Sequence, residues 1–141
     1  MKKFLHYLIQ FTWGLPQNLA GFILTRKYKN YATEKFFNSH IYYHQGEWGG
    51  ISLGMFIIIN GNRDDYWAST TKVHEYGHTL QSLILGPLYL FIIGIPSFIW
   101  CNAKKFVKMR KDKNISYFDF YPEKRANYLG QRATKLPAPT K

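Results

Sequence analysis

Apolar positions spaced three and four apart run from Val73 through Tyr76, Gly77 and Leu80 to Ile84, which predicts a helix over residues 71–85 with one buried face. Ser69 or Thr70 suits its N-cap, and Gly86-Pro87 supplies a stop. Ahead of it, residues 51–59 are apolar and β-branched and close on Asn60-Gly61-Asn62, the pattern of a strand. Residues 60–69 are then a polar loop. Residues 4–11 and 16–25 read as two short amphipathic helices within an N-terminal segment 1–27, broken at Gly14-Leu15-Pro16, with Pro16 in a first helical turn. Between these elements, 26–35 is a basic surface connector, 36–43 an aromatic run, and 45–50 a glycine-rich turn cluster.

The most apolar stretch, 83–101, is about 19 residues long, close to what a helix needs to cross a bilayer. Gly86-Pro87 and Gly94-Ile95-Pro96 interrupt it, and these breaks favour an apolar hairpin over 86–101 that folds back. Beyond it, 116–121 is a short aromatic segment, 123–132 a helix opened by Pro122, and 136–139 a frayed tail. The 141 residues fit one domain, 1–141. The expected class is α+β, mostly helical, with one short sheet or strand beside the helix at 71–85.

Charge adds a partner to this picture. Lys and Arg number 19 against 8 acids, a net +11, with a pI near 9.8. Such a balance implies an anionic partner. No helix-turn-helix, RNP-like or Cys/His finger pattern is present, so nucleic acid is not expected. The basic residues flank apolar runs, which points to anionic lipid head groups and a membrane-associated chain. The cluster Lys104, Lys105, Lys108, Arg110, Lys111 and Lys113 suits the cytoplasmic side of the cytoplasmic membrane. Trp13, at the break between the first two helices, suits a membrane interface. Met1-Lys2-Lys3 opens like a signal peptide, but the apolar part is short and no small-residue cleavage site follows, so the segment is read as retained. The single cysteine, Cys101, excludes an intramolecular disulfide and reads as a small buried hydrophobe.

The chemistry concentrates at His74-Glu75-Tyr76-Gly77-His78. On a helix His74 and His78 are one turn apart on the same side, so both imidazoles can reach one divalent ion at roughly 2.0–2.1 Å for zinc. Glu75 points about 100° round the helix from His74, within reach of a metal-bound water and able to take its proton. This H-E-x-x-H helix resembles the active-site helix of the zincin metallopeptidases. Their gluzincin branch adds a third ligand from a later helix in a pattern close to E-x-x-A-D, and Glu123-Lys124-Arg125-Ala126-Asn127 is similar to it at Glu123 and Ala126. The resemblance implies zinc held by His74, His78 and Glu123, Glu75 as general base, and a peptide or protein substrate paired along the strand at 51–59. Asn127 stands where the family has a carboxylate that orients a ligating histidine, which lowers ligand basicity. His44 or Tyr121 is a candidate to stabilise an oxyanion.

Two alternatives stay open. His40 and His44 form a second H-x-x-x-H that is similar to the boxes of membrane di-iron desaturases, and they are alternative metal ligands. Five histidines, however, do not complete that family's set. The other alternative is a non-catalytic membrane-bound metalloprotein with a structural or interaction role.

Overall fold

The computed structural model describes residues 3–140, so Met1 and Lys2 of the N-terminal segment lie outside the described residues. The fold is α+β, mostly helical, with one four-stranded sheet. Helices α1 (Lys3–Thr12) and α2 (Leu15–Thr25) meet at Gly14, as the Gly-Leu-Pro break predicts. The basic connector holds a single 3-10 turn and then β1 (Thr33–Phe36), which forms a hairpin with β2 (Ser39–His44).

The single strand expected over 51–59 is two strands, β3 (Gly50–Leu53) and β4 (Phe56–Asn60). Gly54 lies between them at φ +62°, a backbone conformation that glycine takes without strain and that opens a two-residue hairpin. The sheet order is β1-β2-β4-β3; β2 and β4 run parallel, and the other pairs are antiparallel. β4 is buried along its whole length. Its Ile57 and Ile59 join Ile41 and Tyr76 in the core, while Phe56, on the opposite face by strand alternation, meets Phe22 of α2. β3 is left as an edge.

Helix α3 (Asp65–Leu85) starts earlier than the hydrophobic periodicity suggests. Asp64, not Ser69 or Thr70, is its N-cap, accepting the Trp67 N–H at 2.8 Å. The Ser69 and Thr70 hydroxyls instead donate to the carbonyl of Tyr66, at 3.0 and 2.9 Å. The second half of the expected polar loop, 65–69, is therefore helix. Among the described residues no single helix is long and apolar enough to cross a membrane; Asp65–Leu88 and Leu90–Asn102 together have the length and composition but are bent by 118°. The bend follows Gly86, at φ +53°.

The chain continues through α4 (Ile95–Asn102) and α5 (Lys104–Asp112) to α6 (Tyr121–Thr134). Cys101 is exposed rather than buried: Trp100 is the residue that α4 turns inward, its indole N–H bonded to the Tyr117 carbonyl at 2.9 Å. The tail is not frayed either. Ala138 is buried, and the Pro139 carbonyl accepts the Asn127 amide at 2.8 Å.

Candidate metal centre

Small residues bring the two halves of the site together. A Cβ on Gly77 would collide with the backbone of Ala126, and one on Gly130 with the carbonyl of Val73. α3 and α6 therefore cross at backbone contact, and the pairing 73/130 and 77/126 makes them antiparallel. One turn further along, Gln81 donates to the Pro122 carbonyl at 2.9 Å. This register sets Glu123 opposite the two histidines.

His74, His78 and Glu123 are all buried, and one ligand atom from each lies within 4.8 Å of the others. Glu123 Oε2 stands 3.0 Å from His74 Nε2 and 3.3 Å from His78 Nε2. Ligands about 2.0–2.1 Å from a tetrahedral zinc stand about 3.3 Å apart, so the spacing is compatible with that geometry. The group can hold a metal ion.

The hydrogen bonds behind the imidazoles explain why a cation belongs there. His74 Nδ1 donates to Asn127 Oδ1 at 2.7 Å, and the Asn127 amide is oriented by its bond to Pro139. His78 Nδ1 donates to Gln81 Oε1 at 2.6 Å, and that amide is oriented by Pro122. With both protons on Nδ1, each Nε2 presents a lone pair to a carboxylate oxygen. Three lone-pair atoms converge, an arrangement that needs a proton or a metal ion among them. Without a metal, protons take that role. Burial opposes the charge on Glu123, yet the hydrogen bonds and charges of His74 and His78 hold it far below the usual carboxylate range. Burial likewise opposes the His78 imidazolium, but the bond to Glu123 and the carboxylate charges raise its pKa. The Ser97 hydroxyl completes the set by donating to Glu123 Oε1.

Glu75 is buried on the neighbouring face of α3, turned toward the edge strand: a Cβ on Gly50 would lie 2.9 Å from its Oε1. Other candidates are elsewhere. His44 stacks on Trp48 at 3.6 Å, with its ring nitrogens bonded to the Gly46 N–H and the Gly49 carbonyl, each at 3.0 Å. It offers neither a metal ligand nor an oxyanion donor. His40 sits on β2 beside Phe56 and lies outside the ligand group. The Tyr121 hydroxyl is spent on the Ile92 carbonyl, so it too is unavailable as an oxyanion donor.

Sequence reasoning missed Gln81, Ser97, Tyr89 and Tyr117. Burial and the charges of Glu75 and Glu123 push the Tyr89 phenol well above its ordinary pKa, and burial with the charge of Glu123 does the same at Tyr117; both remain proton donors. Gln81, three residues after His78 on the same helix, was the one with a readable signal. Comparison with protein-family models, curated proteins and solved structures finds no match.

Proposed function

We propose that the chain is a zinc-dependent peptide-bond hydrolase working at or in a membrane, with His74, His78 and Glu123 as ligands and Glu75 as general base. The observation that carries this reading is the convergence of His74 Nε2, His78 Nε2 and Glu123 Oε2 as three buried lone-pair atoms, their tautomers set by Asn127 and Gln81. Bound there, zinc supplies a Lewis acid that polarises a carbonyl and makes water nucleophilic near neutral pH. Glu75 accepts the proton of the attacking water and passes it to the leaving amine.

The edge strand supports a peptide substrate. The Asn60 N–H bonds to the Gly49 carbonyl at 3.0 Å, and pairs alternate along an antiparallel ladder, so Gly50 and Ser52 direct their main-chain groups away from β4. The Ser52 carbonyl meets the Tyr89 hydroxyl at 3.5 Å. Gly50 thus offers an N–H and a carbonyl beside Glu75, where an extended chain can pair. The edge role expected of residues 51–59 belongs to β3 alone, since β4 is an interior strand.

The test is Glu75→Gln, assayed for hydrolysis of a peptide library in lipid nanodiscs. The variant should bind metal as the wild type does and lose at least about 100-fold in rate, the lower end of a general base's contribution. A wild type that binds metal and cleaves nothing would leave a non-catalytic metalloprotein, a role that the neutral Asn127 also suits.

A further inference from the structure

Helices α1 and α2 are built inside out. Apart from Gly21, the residues they bury are polar: His6 and Gln10 on α1, Gln17, Asn18 and Thr25 on α2. Those they expose are large and apolar, with Phe4 77% and Ile23 62% exposed, and Phe11 and Leu19 above half. Water selects the opposite arrangement, because exposed apolar surface is unfavourable and buried amides need partners. Two of these amides are short of partners: Gln10 Nε2 and Gln17 Oε1 are buried without a hydrogen bond. The segment after α3 repeats the pattern outward, with Leu88, Phe91 and Phe98 exposed.

The two surfaces are joined. Trp13, at the corner between α1 and α2, packs on Gly86 so closely that a Cβ there would collide with its ring. Gln17 ties the same corner to α3, donating to Ser82 Oγ at 2.8 Å and to the Gly86 carbonyl at 2.9 Å. The charges around this surface have one sign. Neither 3–25 nor 86–102 contains an acidic residue, Arg26, Lys27 and Lys29 follow α2 directly, and Lys104, Lys105 and Lys108 follow α4.

We infer that α1, α2 and the 88–99 segment form one monotopic wedge that inserts into the hydrocarbon of a single leaflet, with these basic residues seated on anionic head groups. This deepens the membrane location of the proposed function and rests on no part of its metal chemistry. Apolar side chains facing out and a basic fringe free of acids are what a lipid surface requires. A purely electrostatic contact would not need the inverted helices.

The experiment is flotation of the full chain with vesicles of phosphatidylcholine alone and with about 30 mol % phosphatidylglycerol, at low salt and at about 1 M salt, where screening confines charge attraction to ~3 Å. Wild type should float with the anionic vesicles and stay bound at high salt. Leu19→Asp with Ile23→Asp should lower the bound fraction about tenfold or more, and Phe98→Asp on the other segment should lower it independently. Melting temperature and metal content should not change, because all three positions face outward. Three results would overturn the wedge: wild type left in the aqueous fraction, wild type washed off by salt, or variants floating like wild type. A discrete water-soluble dimer that ignores vesicles would assign the surface to a second copy and also refute it. Glu75→Gln should leave flotation untouched, so failure of the wedge and failure of the hydrolase reading are separable.

Discussion

The half of the molecule around α3, β4 and α6 and the half formed by α1 and α2 use the same amphipathic periodicity in opposite senses. In the first, Ile57, Ile59, Val73 and Ala126 lie inside, and three buried ionisable groups are mutually bonded: His74 and His78 to Glu123, and each imidazole to an amide. In the second, amides and a histidine lie inside and phenylalanines and leucines outside. An unpartnered buried polar group costs about 1–3 kcal/mol, so the N-terminal half is poorly matched to water while the other half is well matched. Periodicity thus reveals that a helix has two faces. The medium decides which one is buried.

The sharpest way to break this contrast is at the helix crossing. Gly77→Leu forces α3 off the Ala126 backbone and separates His78 from Glu123. It should cost at least about 3 kcal/mol, the upper range for overpacking a core. Ile23→Ser, on the exposed face of α2, should stay within about 0.5 kcal/mol in detergent. Denaturant unfolding of both variants checks the difference, and equal losses would erase it.

A smaller effect is expected behind the ligands. Asn127→Ala removes the acceptor for His74 Nδ1 and the tie to Pro139. Metal affinity should fall about 10–100-fold, and Asn127→Asp should restore or exceed the wild-type value. Competition with a chromophoric chelator measures both, and an unchanged affinity in Asn127→Ala would show that the imidazole is held by packing alone.

The smallest effect belongs to the tether between the β1–β2 hairpin and α3. Lys72 Nζ lies 2.7 Å from Glu34 Oε2, which also accepts the Tyr43 hydroxyl at 2.7 Å. Burial opposes the charge on Glu34, but the bonds from Lys72 and Tyr43 outweigh it, and its pKa falls below the ordinary 4.5. A depressed carboxylate contributes stability that is present above pH 4.5 and is lost as pH falls through the lower folded value. With the Glu34 side chain 39% exposed, the contribution should stay under about 1 kcal/mol. Glu34→Gln should be less stable than wild type at neutral pH, and the gap should close in acid. A gap that widens in acid would reverse the sign of this account.

Local signals made much of this architecture legible. The H-E-x-x-H spacing needed only a helix to place two imidazoles on one side, and Gly14-Leu15-Pro16 and Gly86-Pro87 mark real breaks because their backbone chemistry acts locally. Glu123 was readable as a candidate through its motif, but its approach depends on Gly77 meeting Ala126 and Gly130 meeting Val73, contacts across 49 and 57 positions that no local pattern encodes. The split of 51–59 was hidden because Gly54 sits in an apolar run, with Ile51 before it and Phe56, Ile57, Ile58 and Ile59 after it favouring a strand. The tail at 136–139 looked free because its anchor, Asn127, acts from another element. Which face α1 and α2 bury was beyond periodicity altogether.

The most direct test of the central claim is native mass spectrometry of the chain purified with zinc present, alongside His78→Ala, Glu123→Ala and Glu75→Gln. Wild type and Glu75→Gln should each carry one ion per chain, and His78→Ala and Glu123→Ala should carry none. A wild type without metal, or equal metal in wild type and Glu123→Ala, would contradict the site assembled from His74, His78 and Glu123.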